Sequence, residues 1–152
     1  MTAKKLPDRA SDERFVQSYL PYLLGRASRL ISAEFHQQLA ARQVPVQHWR
    51  VLASLYEGPM SVTELADVAL EKQPTMSRIV ERIEKLKLVQ RRPDTEDRRG
   101  TLVDITAQGR QVVKPLLPLA SQHVQQVLAP LAAEDAAALF RVLRTLIAQR
   151  GG

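Results

Sequence analysis

Gln73, Thr75, Ser77 and Arg78 fall within about one and a half helical turns of one another, and each ends in a short or forked polar group. Such groups match the base edges displayed in a DNA major groove. Gln pairs with adenine, Arg with guanine, and the Thr methyl can meet that of thymine. Arg82, one turn further along, is placed for a phosphate. A second cluster reads Asp97-Arg98-Arg99-Gly100. A narrow minor groove concentrates negative potential and attracts an inserted Arg. Asp97 can hold one guanidinium through a bidentate pair. One of Arg98 and Arg99 then inserts while the other pairs or touches phosphate, and the sequence leaves open which. Taken alone, the first group is better read as an ordinary solvated helix face, so the case depends on the elements that carry it.

Other chemistries find no support. The absence of cysteine excludes disulfides, thiolate zinc sites and thiol redox sensing. His36, His48 and His123 lack metal-site spacing and have no accompanying carboxylate cluster. Neither a phosphate-cradling Gly loop nor a nucleophile elbow is present, so no enzyme and no cofactor are expected.

The 152 residues are 45% hydrophobic but only 5% aromatic, which suits a core of Leu, Val, Ile and Ala between packed helices. No apolar run approaches the ~20 residues that cross a bilayer. The N-terminus lacks the apolar stretch of a secretion signal. A cytoplasmic protein with a flexible tail over residues 1–11 is therefore expected, with no membrane partner. The net charge is +6, and the segment from Lys72 to Arg99 holds nine basic residues against five acidic ones. Most of the excess thus lies where the base-reading candidates lie, which scattered surface charge would not produce.

Apolar residues from Phe15 to Leu39 recur at steps of three and four, predicting one long helix over about 13–42, with Pro21 kinking it or opening its regular part. Val44-Pro45 ends it, and a short helix follows over about 46–56. Ser61 and Glu64 have capping-box spacing at the start of a third helix. Pro74 suits the first turn of a fourth, whose buried face is Met76, Ile79, Val80, Ile83 and Leu86. Short helix, tight turn and longer helix over 61–86 make a helix-turn-helix. Two strand-like runs, 88–92 and 101–105, flank turn residues and form a hairpin behind it, which is a wing. Thr106 caps renewed helix over 107–149, interrupted at Pro115 and Pro118 and broken at Pro130 before a last helix over about 134–149. The fold expected is mostly α (α+β): a winged helix-turn-helix over 46–106, with long terminal helices over 12–45 and 107–150. Their stripes exceed what one small domain can cover, which predicts a homodimer.

The run SVTELADVALEKQPTMSRIVERIEKLKLVQRRPDTEDRRGTLVDITAQGR, residues 61–110, resembles the multiple-antibiotic-resistance-regulator (MarR) family. The similarity extends to RASRLISAEFHQQL in the first helix and to the Leu-rich last helix. Its most specific part is Asp97-Arg98-Arg99 followed by Leu102, Ile105-Thr106 and Gly109. The resemblance implies a triangular homodimer joined through its terminal helices, with a recognition helix from each subunit in successive major grooves of a double-stranded operator. It also implies a small, often phenolic, ligand that loosens DNA binding. That ligand's pocket would lie where the first, second and fifth helices meet the winged domain, which points to Ser28, Ser32 and His36, four residues apart on the first helix, and to His48, Trp49 and Arg50 on the second. Their hydroxyls, imidazoles, flat apolar ring and guanidinium would together suit a small aromatic carboxylate. The competing reading makes Trp49 a core residue and the serines aids to helix packing. Lys87 stands where the family usually has Gly, and Ala132 where a capping Ser or Thr is common, while Pro115 adds a break to the fifth helix. If the backbone at Lys87 is left-handed, the lysine costs roughly 1 kcal/mol. The function expected is a repressor released by a small aromatic acid. The alternatives are an effector-independent repressor, or a structural protein that binds nucleic-acid backbone without sequence preference.

Overall fold

A proline has no N–H to donate, so a helix running through Pro21 would leave the Gln17 carbonyl unbonded. In the computed structural model, which describes residues 14–95 and 100–150, the expected single helix accordingly divides. Helix α1 is Phe15–Ser18, Tyr19 is extended, and α2 runs Leu20–Ala41. Pro21 thereby sits in the first turn of α2, where an N–H has no intrahelical partner to find. The chain separates into two compact units whose boundary falls between Gln38 and Leu39, inside α2. In the first unit Phe15, Tyr19, Leu20, Leu23 and Leu30 are all exposed.

The second unit is built on α3 (Val46–Ser54), α4 (Val62–Val68) and α5 (Gln73–Lys85). Met76, Ile79, Val80 and Ile83 recur at helical spacing on α5 and are buried. They join Val51, Leu52, Leu55, Leu65, Val89, Val103, Ile105 and Val113 in one hydrophobic cluster, with Trp49 packed against it. Leu86 proves to be half exposed, because α5 ends just before it. The capping box forms as its spacing predicts. The Glu64 N–H donates to Ser61 Oγ at 3.2 Å and the Ser61 N–H to Glu64 Oε2 at 2.7 Å. The Ser61 N–H, and after it the Ser61 hydroxyl, hold the Glu64 carboxyl below its ordinary range.

Three helices end alike. Gln43, Leu70 and Lys87 have φ of 56°, 55° and 60°. At each, the next N–H reaches back to a carbonyl five residues earlier: Val44 to Leu39, Glu71 to Ala66, Leu88 to Ile83. This is the Schellman cap, which usually employs Gly at the left-handed position. Lys87 therefore does occupy the left-handed backbone that its place in the sequence hinted at.

Strands β2 (Val89–Pro93) and β3 (Thr101–Ile105) pair antiparallel from Val89 opposite Ile105 to Pro93 opposite Thr101. A third strand, β1 (Met60–Ser61), completes the order β1-β3-β2. Two residues are too short for any alternation to announce, and sequence periodicity passes over them. Thr106 locks the sheet to the next helix, α6 (Ala107–Val113). Its Oγ1 accepts from the Gly109 N–H at 3.0 Å and donates to the Lys87 carbonyl at 2.7 Å. A side chain at Gly109 would collide with the Leu88 carbonyl and with Ile105. Arg110 ties α6 to the end of α3, donating to the Tyr56 carbonyl at 2.9 Å and lying over its ring.

Beyond α6 the chain bends at Lys114-Pro115 into α7 (Leu116–Leu128). Only Pro115 interrupts. Pro118, expected to break the helix as well, falls in the first turn of α7, where no N–H is required. Helix α8 (Ala133–Arg150) starts after Ala132 with Glu134 and Asp135 in its first turn, where acidic groups interact favourably with the positive end of the helix dipole.

Candidate nucleic-acid interface

Because α5 turns its apolar stripe inward, Gln73, Thr75, Arg78 and Arg82 are exposed on its other side, with Ser77 half-buried between them. The N-cap is Lys72, also exposed, so the helix start presents a cation as well as polar groups. The turn before it is tethered at two points. Arg50 of α3 lies 3.8 Å from Glu71, and Gln73 Nε2 donates to Thr63 Oγ1 on α4 at 3.2 Å. Arg82 lies near His48 of α3, whose pKa is lowered first by burial and then by the Arg82 charge.

The hairpin behind α5 is basic at its base. Arg91 is held by Glu84 of α5, which accepts from its N–H at 3.1 Å and lies 3.5 Å from its guanidinium. Arg92 Nε is 3.3 Å from Asp104 across the sheet but lacks the angle of a hydrogen bond, so charge rather than bonding holds it there. The Asp94 N–H donates to the Gly100 carbonyl and closes the loop at its root. Asp97, Arg98 and Arg99 lie outside the described residues.

The six residues considered for an effector are distributed over both units. Ser28, Ser32 and His36 lie on α2, Ser28 exposed and the other two half-buried. Consecutive residues on a helix diverge by about 100°, and His48, Trp49 and Arg50 enter three different neighbourhoods. Trp49 packs on the core and Arg50 faces Glu71. His48 lines a cavity of about 540 Å³, with Arg42, Gln111, Leu88, Val112 and Leu116 among its walls. Arg42, Thr63, Glu71 and Lys72 were not singled out from the sequence. Thr63 alone had a local signal, its place two residues after the Ser61 cap. Among the described residues no cluster of His, Asp or Glu could hold a metal, and no helix is long and apolar enough to cross a membrane.

A helix-turn-helix with an exposed polar face on its second helix, followed by an antiparallel hairpin with a basic root, defines a winged-helix DNA-binding protein. The sequence profile of the MarR family matches residues 42–100. The chain is 32% identical over 133 residues to the HTH-type transcriptional repressor NicR of Pseudomonas putida, covering 87% of this chain and 84% of that one. A MarR family transcriptional regulator from Silicibacter pomeroyi DSS-3 superposes with a TM-score of 0.79 at 38% identity, covering 89% of this chain and 97% of that one. Bordetella bronchiseptica BpsR, solved for the regulation of its DNA binding by 6-hydroxynicotinic acid, superposes with a TM-score of 0.75 at 27% identity, over 90% and 97%. The chain belongs to the MarR family of transcriptional regulators.

Proposed function

We propose that this regulator is a homodimeric, cytoplasmic repressor that acts by binding and not by catalysis. Its two copies of α5 read successive major grooves of a pseudo-palindromic operator, about 34–36 Å apart. The observation that carries this is the division of α5 into a buried stripe and an exposed face bearing Gln73, Thr75, Arg78 and Arg82. One of Arg98 and Arg99 adds a minor-groove contact while the other pairs or touches phosphate, with Asp97 as support. Residues 46–106 form the DNA-binding part, and residues 12–45 and 107–150 the dimer-forming helices, whose exposed Leu, Phe and Ile side chains support that role.

The finer reading is release by a small aromatic acid. BpsR and its 6-hydroxynicotinic acid support that ligand class. So does the 540 Å³ cavity at His48, of a size that takes a small ligand and with Arg42 in its wall. Arg42 and His48, which line that cavity, are the proposed partners for the ligand's carboxylate. To lower operator affinity tenfold, a ligand need only favour the released state by ~1.4 kcal/mol.

Selection of bound duplexes from random DNA, repeated with benzoates and pyridine carboxylates, tests both levels. A pseudo-palindrome should emerge and an acid should release it, with release lost in His48→Ala. In Arg78→Ala, preference at one base pair per half-site should fall by ~1–3 kcal/mol, whereas Arg82→Ala should weaken all sequences alike. Binding with steep salt dependence and no motif would make this a non-specific binder. A motif that no acid affects would make it an effector-independent repressor.

A further inference from the structure

A base-reading carboxamide has two N–H donors and one acceptor oxygen. In Gln73, the first residue of α5, one donor is already committed, because Nε2 donates to Thr63 Oγ1 at 3.2 Å. Thr63 lies in the first turn of α4, whose start is set by the Ser61–Glu64 capping box. What remains on Gln73 is one N–H and Oε1, the donor–acceptor edge that complements N7 and the N6 amino group of adenine. Guanine presents two acceptors, O6 and N7, so a carboxamide held in this sense would oppose its own oxygen to O6. The Thr63 hydroxyl accepts from Gln73 and keeps its own proton to give. In a helix-turn-helix the first helix crosses the DNA backbone, where the available acceptor is a phosphate oxygen.

We propose that Thr63 is a positioning residue for base readout: its hydroxyl holds Gln73 in the adenine-reading sense while donating to a backbone phosphate. One oxygen thereby couples the register of the protein on the duplex to its choice of base. The inference rests on α5 being the recognition helix. Without the Thr63 hydroxyl, Gln73 is free to turn its carboxamide over and offer an N–H to guanine O6. Thr63 is exposed and plays no part in the capping box, so losing its one solvent-exposed bond to Gln73 should change fold stability little.

The test is selection from random duplexes with the full-length wild type, Thr63→Val, Thr63→Ser, Gln73→Ala and the Thr63→Val/Gln73→Ala double variant, beside thermal melts. Thr63→Ala replaces Thr63→Val if the branched side chain disturbs the start of α4. The wild type should return adenine at one position of each half-site. In Thr63→Val the adenine-over-guanine ratio there should fall by roughly tenfold, within the range one bidentate contact supplies, with melting unchanged. Thr63→Ser should restore the wild-type ratio, and adding Thr63→Val to Gln73→Ala should change it no further. The inference is overturned if Thr63→Val keeps the wild-type ratio, weakens every sequence equally, or is matched by Thr63→Ser. A wild-type motif that Gln73→Ala leaves intact overturns it while sparing the DNA-binding reading. No motif from the wild type removes both.

Discussion

Helices α5 and α8 carry similar stripes of apolar residues, yet only one of them finds a surface to cover. The 13 residues of α5 bury Met76, Ile79, Val80 and Ile83 within the core of the second unit. The 18 residues of α8 bury none, and Leu139, Phe140, Val142 and Ile147 remain 41–69% exposed. The contrast separates two meanings of periodicity. A stripe states that a face must leave water; it does not state whether the same chain supplies the covering. For α5 the answer lies in α3, α4 and the sheet, which leaves outward the face proposed to read DNA. For α8 the proposed answer is a second copy.

Substitutions on the two stripes should therefore fail differently. Ile83→Ala should destabilise the protein by ~2–5 kcal/mol, because it opens a cavity in a packed core. Denaturant unfolding measures this, and a loss well below that range would mean the α5 stripe is loosely covered. Phe140→Asp should leave circular dichroism nearly intact while costing ~1–3 kcal/mol per copy at an interface that excludes water. Sedimentation at low micromolar concentration should then fall from about twice the chain mass to the 17.1 kDa of one chain. A Phe140→Asp variant that still sediments as a dimer would remove α8's exposed face from the interface.

The smallest effect concerns the turn that aims α5. Leu70 is 90% exposed and left-handed, so it has strain to lose and little packing. Leu70→Gly should stabilise the fold by ~0.5–1 kcal/mol, seen as a rise in Tm. A lower Tm would show that the side chain contributes more there than its exposure implies.

Much of this architecture was legible in order along the chain because its causes are local. The Ser61–Glu64 box needs only a spacing of three residues, the α5 stripe only a period, and the wing only turn residues between extended runs. The helix-turn-helix, the hairpin and the family resemblance follow from such short-range facts. Pro21 is legible by type, since its missing N–H acts within its own helix, and Lys87 only through the family resemblance, because it stands where Gly is usual. Tertiary structure decided what depends on distant partners. It paired Met60–Ser61 with β3, placed Pro118 harmlessly in a first turn, and sent His48, Trp49 and Arg50 to three different neighbourhoods. It also set Thr63 against Gln73, ten residues away. That contact exists because α4 and α5 pack on a shared core at one particular crossing, and a crossing is a property of two helices and the turn between them, which no single stretch of sequence specifies.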